Sequence, residues 1–237
     1  MNLFLIYYKK GGVFRFHICY LLYQMKSEKF DKLLEELIKK NEKENLVPTL
    51  LLHSCCAPCS SYVLDYLSKF LKITVFYYNP NISPIDEYLK RKEEQKRLIK
   101  QMKTLYPVSI LDCDYDNDLY EEKIKGLENE PERGGRCKVC FALRLEKTAV
   151  VACQNHFDYF GTTLTVSPYK NANLINEIGR NLEKSYDVKF LISDFKKNDG
   201  YKKSIILSKE YNLYRQDYCG CIYSKLEREG LLLKKKN

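Results

Sequence analysis

Three cysteines, Cys55, Cys56 and Cys59, lie within the short sequence SCCAPCS. An apolar run at residues 47–53 precedes it, and an amphipathic run at residues 62–71 follows it. This order predicts a strand that ends in a tight turn and then opens a helix. Backbone N–H groups at a helix start favour anions and lower the pKa of a thiol. Adjacent cysteines rarely pair without backbone strain, so the three sulfurs favour a metal or redox site over a disulfide.

The ten cysteines of the 237-residue chain are unevenly distributed. Seven of them form three short groups, which are Cys55/Cys56/Cys59, Cys137/Cys140 and Cys219/Cys221. A secreted disulfide scaffold is usually shorter and denser in cysteine, so the favoured interpretation is metal or redox chemistry in the cytoplasm. The remaining cysteines lie in apolar surroundings, which favours buried and inert thiols. They are Cys19, Cys113 and Cys153.

The number of grouped sulfurs limits which metal site they can form. Cys137 and Cys140 have the C-x-x-C spacing, which zinc sites, redox dithiols and iron–sulfur clusters all use. A structural zinc site takes four cysteines, and so does a 4Fe-4S cluster. Seven sulfurs exceed either requirement. Counting ligands therefore suggests four cysteines for a cluster and three for a second metal.

Strand-like runs alternate with helical runs along the chain, which predicts an α/β fold. We expect a doubly wound, mostly parallel sheet of the Rossmann-like or HUP-like kind, with a helical, cysteine-bearing C-terminal part. Ligands of such sheets bind at the carboxyl ends of the strands. Four predicted loops that follow strands should therefore gather at one edge. They are the cysteine turn and residues 79–84, 112–116 and 162–167.

The predicted elements follow from apolar periodicity and from turn residues. Strands are predicted over residues 49–53, 73–78, 108–112, 159–164 and 189–193. Helices are predicted over residues 26–44, from the cysteine turn to residue 70, and over residues 85–105, 119–127, 137–154, 173–186, 200–211 and 222–229.

The ends of the chain and its charge bear on partners. Residues 1–24 are aromatic-rich, and their apolar runs are too short to span a membrane. We expect a poorly ordered extension there, with a weak membrane-surface anchor as the alternative, and a single domain over residues 25–237. The net charge of +9, from 40 Lys+Arg and 31 Asp+Glu, suits a polyanionic partner such as nucleic acid, but it is equally compatible with simple solubility.

Five segments in chain order resemble the QueH-type epoxyqueuosine reductases. They are CCAPCS, YNPNISPIDEYLKRKEE, ERGGRCKVCFALRLEKTA, FGTTLTVSPYKNANLINEIG and YCGCIYS, which together extend over residues 51–227. The resemblance implies reduction of epoxyqueuosine to queuosine at the wobble position of tRNA. It also implies a 4Fe-4S cluster beside a mononuclear iron, and no cobalamin. We expect an external electron donor and no membrane partner.

Carried over position by position, the resemblance implies that all seven grouped cysteines are metal ligands. The predicted division assigns Cys56, Cys137, Cys140 and Cys221 to the cluster. It assigns Cys55, Cys59 and Cys219 to the catalytic second iron. Some family members are expected to have Asp at the position of Cys59, and either residue suits iron.

Other residues near the predicted site have open roles. The sequence does not choose the proton donor among Tyr77, Asp86, Glu87 and Tyr169. His53 is expected to be a packed residue at a strand end and not a ligand. Several basic residues are candidates for contacts with an RNA backbone, with Arg133 and Arg136 favoured because they precede the C-x-x-C pair. These candidates include Arg91, Arg133, Arg136 and Arg144.

Two alternative functions fit part of the pattern. A nucleotide-activating tRNA thiolase would have a similar α/β topology, but it needs a glycine-rich phosphate loop after the first strand, and CCAPCS contains no glycine. A zinc-stabilised tRNA-binding module would also use clustered cysteines. Metal analysis separates this module from the reductase.

Overall fold

The computed structural model describes residues 29–231, so the expectations for residues 1–24, for Cys19 and for the last six residues lie outside it. The strands are β1 (Thr49–His53), β2 (Lys72–Phe76), β3 (Ser109–Leu111), β4 (Tyr159–Thr162) and β5 (Lys189–Phe190). The helices are α1 (Phe30–Lys43), α2 (Ala57–Leu67), α3 (Ile85–Gln101), α4 (Asn117–Lys123), α5 (Gly135–Gln154), α6 (Ala172–Glu183), α7 (Gly200–Glu210) and α8 (Ile222–Arg228). A 3-10 helix, Thr163–Val166, follows β4.

The five strands form one parallel sheet in the order β3-β2-β1-β4-β5. β1 lies at the centre, and its residues Leu50, Leu51 and Leu52 are completely buried. A continuous apolar run is typical of a parallel strand that is covered on both faces. The predicted fold class, an α/β protein with a doubly wound parallel sheet, is therefore confirmed.

Alternate residues of β1 contribute to two separate cores. Leu50 and Leu52 pack on the face covered by α1, α2, α3 and α7, whereas Leu51 packs with α5 and α6 on the other face. This follows from the two-residue period of a strand, which sends successive side chains to opposite faces. Burial of each leucine contributes about 1.5–3 kcal/mol relative to an exposed side chain. The two cores together fix β1 and the turn that follows it.

Some predicted boundaries differ from the structure. β4 ends at Thr162, not at residue 164, because the Thr162 hydroxyl accepts a hydrogen bond from the Leu164 N–H and starts the 3-10 helix. β5 has only two residues, and α3 ends at Gln101 because the backbone of Met102 is extended. The early end of β4 has a consequence for the site, since it turns Thr163 towards the cysteines.

The carboxyl ends of all five strands lie along one edge of the sheet, as the prediction required. Hydrogen bonds join the loops there. The side-chain amide of Asn79 donates to the carbonyl of Ser54 at 2.7 Å, and that of Asn117 donates to the carbonyl of Pro80 at 2.7 Å. None of the helices within residues 29–231 has the length and apolar character needed to cross a bilayer.

The close approach of α6 to β5 requires a glycine at position 179. A methyl group there would overlap the ring of Phe190, which is buried. Alanine gains about 1 kcal/mol in helix propensity over glycine, but an overpacked core costs about 1–3 kcal/mol. We therefore expect Gly179→Ala to lower the free energy of unfolding, as measured by denaturant titration.

Two variants control this experiment. Asn181→Ala introduces alanine at an exposed position of α6, where it meets no core residue, and should leave stability unchanged or raise it slightly. The double variant Gly179→Ala/Phe190→Leu should recover part of the loss, because the smaller side chain relieves the overlap. An unchanged stability of Gly179→Ala would contradict the packing argument.

Candidate metal centre

The turn between β1 and α2 brings three sulfur atoms together. The Sγ atoms of Cys55 and Cys56 are 3.8 Å apart, and those of Cys55, Cys56 and Cys59 all lie within 4.8 Å of one another. Cys56 is the N-cap residue of α2, and Cys55 and Cys56 are both buried. The structure therefore places three metal-type donors on one side of a single turn.

Buried polar side chains hold this turn in shape. The hydroxyls of Ser54 and Ser60 both donate to the side-chain oxygen of Gln95, at 2.7 Å and 2.8 Å. The Ser60 hydroxyl also lies 2.9 Å from the carbonyl of Cys56, and the Cys55 N–H donates to the hydroxyl of Thr163 at 3.2 Å. Hydrogen bonds of this kind are stronger in the low dielectric of the protein interior than in water, so they fix the backbone that carries the sulfurs.

The three thiols shift one another's pKa values in opposite directions. Hydrogen bonds from Cys56 and then from Cys59 hold the pKa of Cys55 well below its ordinary value. The same thiolate, through its hydrogen bond, raises the pKa of Cys56 to about 11, and it also raises the pKa of Cys59. A metal cation reverses this balance, because thiols deprotonate when they bind one.

The other four grouped cysteines come from the start of α5 and the segment before α8. Cys140 and Cys221 pack together with Tyr120 and Ile124 in a small buried cluster. Burial raises the pKa of Cys140 to about 12 and that of Cys221 to about 11, with charge on Cys219 contributing to both. Burial also raises the pKa of Cys137, whose electrostatic neighbours again include Cys219.

The segment that carries Cys219 and Cys221 is fastened to the loop after β2. The Ser83 N–H donates to the carbonyl of Gly220 at 2.9 Å, and the Tyr218 hydroxyl donates to the carbonyl of Ser83 at 3.1 Å. The guanidinium of Arg91 donates to the carbonyl of Cys219 at 3.3 Å and lies 4.9 Å from the ring of Tyr218. These contacts bring sulfurs from the end of the chain to the edge of the sheet.

Two cations link the two sulfur groups. Arg144 is 2% exposed, donates to the carbonyl of Cys140 at 3.2 Å, and has electrostatic contact with both Cys219 and Cys55. Lys170 is partly buried. Burial alone would lower the pKa of Lys170, but nearby thiolates raise it above its ordinary value. Those thiolates belong to Cys219, Cys55 and Cys59.

These contacts show how the seven cysteines are arranged. Among residues 29–231 the only tight set of such donors is Cys55, Cys56 and Cys59. Cys140 and Cys221 pack together, and Cys137 and Cys219 are electrostatic neighbours of Cys140, so these four form a looser group. Cys113 and Cys153 belong to neither group and are partly buried, not fully buried as expected. The Cys113 thiol donates to the carbonyl of Tyr77 at 3.2 Å.

Several predicted RNA contacts are wrong. Arg91, Arg136 and Arg144 are each no more than 2% exposed, so none of them can contact an RNA backbone in this structure. Arg136 donates to the carbonyls of Glu128 and Glu130 and lies over a tyrosine ring. Arg133, by contrast, is exposed.

His53 is a packed residue, as predicted. Its Nδ1 accepts from the hydroxyl of Thr162 at 2.9 Å, and its Nε2 donates to the carbonyl of Tyr78 at 3.2 Å. Burial lowers its pKa to about 3, so the imidazole is neutral at physiological pH. Both ring nitrogens are therefore engaged in hydrogen bonds that hold the strand ends together.

Glu87 is also committed to structure and is not a free proton donor. Its carboxylate accepts from Arg91 Nε at 2.7 Å and from the Tyr214 hydroxyl at 3.1 Å. Lys170 is the site residue that sequence reasoning missed. A signal was available, because Lys170 lies just beyond the loop after β4, at the edge where ligands bind.

The spacing of the first sulfur group matches a single tetrahedral ion. Two thiolates bound at 2.3 Å to a tetrahedral metal lie about 3.8 Å apart, which is the separation of Cys55 and Cys56. A third thiolate from Cys59 would leave the fourth position open, as in catalytic metal sites. The fold and the site thus define an α/β protein with a polythiol site suited to metal.

Comparison with known proteins places the chain in a family. Residues 50–227 match the family described as Epoxyqueuosine reductase QueH. Epoxyqueuosine reductase QueH of Streptococcus pyogenes serotype M1 is 45% identical over 211 residues, covering 88% of this chain and 83% of that protein. The protein of the same name from Staphylococcus epidermidis is 43% identical over 223 residues, covering 92% and 93%. That from Thermotoga maritima is 36% identical over 186 residues, covering 76% and 92%. The chain belongs to the QueH family.

The backbone at Gly220 provides a test of how the distant sulfurs are placed. Its φ is +131°, and an added Cβ would lie 2.9 Å from a carbon of Ile82 and 3.1 Å from Arg91 Nη1. We expect Gly220→Ala to cost roughly 1–3 kcal/mol of stability and to displace Cys219 and Cys221. The metal content after anaerobic reconstitution should therefore fall.

Gly230→Ala is the matched control. Gly230 also has a positive φ, +72°, but an added Cβ would meet nothing within 4 Å. This variant should lose only the conformational preference, about 1 kcal/mol, and keep its metal content. Equal metal contents in the two variants would show that the contacts of Gly220 do not position the sulfurs.

Proposed function

We propose that this protein reduces epoxyqueuosine to queuosine in tRNA, at the wobble position of the anticodon. The observation that carries the proposal is the family match over residues 50–227, a range that contains all seven grouped cysteines. Relatives that match most of this chain have the name epoxyqueuosine reductase QueH. The convergence of the cysteines at the ligand-binding edge of the sheet supports the same conclusion.

The chemistry of the donor set fits an iron centre. The close set Cys55, Cys56 and Cys59 supplies three thiol donors, and the buried guanidinium of Arg144 has an Nη2 without a hydrogen-bond partner among residues 29–231. A buried cation is costly unless negative charge compensates it. Thiolates on iron would supply that charge, with Lys170 as the second cation beside them.

The geometry favours a division of ligands that differs from the predicted one at two positions. Cys55, Cys56 and Cys59 have the spacing for a single iron. The four remaining cysteines match the number that a 4Fe-4S cluster takes. In this division Cys56 moves to the single iron and Cys219 moves to the cluster, while the membership of the seven is unchanged.

Loss of an epoxide oxygen as water consumes two electrons and two protons. When bound, the centre would supply electrons singly and a Lewis-acidic position for the epoxide oxygen. The protein's own part is to hold the substrate and to provide positive charge. Arg144 and Lys170 provide that charge next to the sulfurs, where an oxygen acquires negative charge as its bond to carbon breaks.

Partners and location complete the proposal. The substrate is tRNA that contains epoxyqueuosine, and its modified base must leave the anticodon stack to reach a buried centre. An external donor in the cytoplasm delivers the electrons. The excess of basic residues over acidic ones, 40 against 31, favours binding of the RNA.

Metal content and turnover test the proposal together. Anaerobically purified protein should be brown and contain about five irons, four in a cluster and one beside it. Incubation with epoxyqueuosine-containing tRNA and a reductant should convert the nucleoside to queuosine, as measured by nucleoside analysis. Colourless protein with one zinc would favour the zinc-stabilised RNA-binding module instead, and iron-replete protein without conversion would contradict the reductase.

Single cysteine substitutions test the two sulfur groups separately. Cys55→Ala and Cys140→Ala should each abolish turnover, because each removes a ligand from a different group. Cys153→Ala is the control, since Cys153 lies outside both groups and should retain normal iron content and turnover. Full activity in either of the first two variants would remove that cysteine from the centre.

A further inference from the structure

One aromatic side chain stands apart from the others in its exposure. Tyr169 is 59% exposed, and every other tyrosine and phenylalanine within residues 29–231 is buried or partly buried. An aromatic ring that is exposed to solvent is available to stack on an unpaired base. Tyr169 lies in the loop that follows the 3-10 helix, at the edge of the sheet where the cysteines gather.

The backbone of this loop orients its residues in two directions. The Tyr169 N–H donates to the hydroxyl of Ser167 at 3.3 Å, and the Lys170 N–H donates to the carbonyl of Ser167 at 3.2 Å. Lys170 is partly buried and has Cys55 and Cys219 among its electrostatic neighbours. Tyr169 faces solvent immediately beside it.

Arg133 reaches the same place from another loop. Its backbone N–H donates to the sulfur of Cys137 at 3.2 Å, and its φ is +76°, so its backbone is tied to the second sulfur group. Its guanidinium lies 5.2 Å from the centre of the Tyr169 ring. The contact joins the loop that carries Lys170 to the loop that precedes Cys137.

We propose that Tyr169 and Arg133 form a clamp that stacks on an unpaired nucleobase of the RNA substrate and holds it over the sulfur centre. Arg133 lies over the ring, and the exposed part of the ring is available to a base. Stacking on an aromatic ring holds single-stranded bases without reading their sequence, and an arginine beside it binds phosphate. This inference rests on the proposed function, because it names the group that positions the substrate of the same site.

The surroundings favour RNA over a protein partner. Both neighbours of the ring, Arg133 and Lys170, are basic, and the chain has a net charge of +9. A stable protein interface buries about 1,200–2,000 Å² in total, which is far more than one exposed ring provides. A single base on a single ring is the better match in size and charge.

A short anticodon stem-loop RNA with 2-aminopurine at the wobble position serves as the probe. It contains no epoxide, so binding is measured without turnover. Stacking on Tyr169 should quench its fluorescence in iron-loaded protein. Tyr169→Ala should weaken binding roughly 5- to 100-fold and remove the quenching, whereas Tyr169→Phe should keep both. Tyr169→Leu keeps the bulk without the aromatic face and should behave like Tyr169→Ala.

Matched controls separate local effects from general ones. Tyr106→Ala removes a partly buried tyrosine that precedes β3, at the opposite edge of the sheet, and should leave binding unchanged. Arg133→Gln should weaken binding and reduce the salt dependence by about one phosphate contact. Lys209→Gln removes one exposed charge at the end of α7, and it should change neither the binding nor its salt dependence. Iron content and the absorption spectrum should be the same in all these variants.

Unchanged binding and quenching in both Tyr169→Ala and Tyr169→Leu would overturn the clamp. The clamp would also be overturned if these variants bind RNA normally and react at the normal rate with dithionite, but react slowly with a protein electron donor. Tyr169 would then lie on a surface that docks a protein. Conversion of epoxyqueuosine by unsubstituted protein distinguishes the two proposals. If conversion fails while Tyr169→Ala still loses binding, the reductase proposal fails and the clamp stands.

Discussion

The compensation of buried charge governs the arrangement of the site. Arg144 is held among sulfur atoms, and its Nη2 has no hydrogen-bond partner among the described residues. An isolated guanidinium would be very unfavourable in such a place, since charge transferred from water costs several kcal/mol even in a relaxed protein. Negative charge on the surrounding thiols lowers this cost. The cation and the sulfurs therefore stabilise each other, and a site of this kind requires both.

The parallel sheet and the C-terminal segment contribute different parts of the site. The sheet fixes the turn with Cys55, Cys56 and Cys59 through β1, whose leucines are buried in both cores. The segment before α8 has no strand to hold it. It depends instead on the loop after β2, through the bond from Ser83 to Gly220. Arg91 joins the same contact from α3, so one buried side chain connects a helix to the segment that carries Cys219.

The sequence was sufficient for the fold class and for the position of the first sulfur group. The apolar run of β1 stops at the polar turn, so its predicted and observed bounds agree, and the alternation of strands with helices determined the parallel sheet. Burial of Arg91 and Arg136 could not be predicted, because arginine on a helix is usually solvated. Their burial depends on carbonyl groups of distant segments, which only the folded chain brings near. The place of Lys170 has the same cause, since its thiol neighbours are more than forty residues away in sequence.

The location of Cys219 and Cys221 also bears on how the protein is made. All five strands precede these residues in the chain, so the sheet and its first three sulfurs can fold before the ribosome has released the last two. Until then Cys137 and Cys140 lack half of their group. The set Cys55, Cys56 and Cys59 is therefore complete during synthesis well before the set that includes Cys219 and Cys221, which has to wait for the final segment to dock.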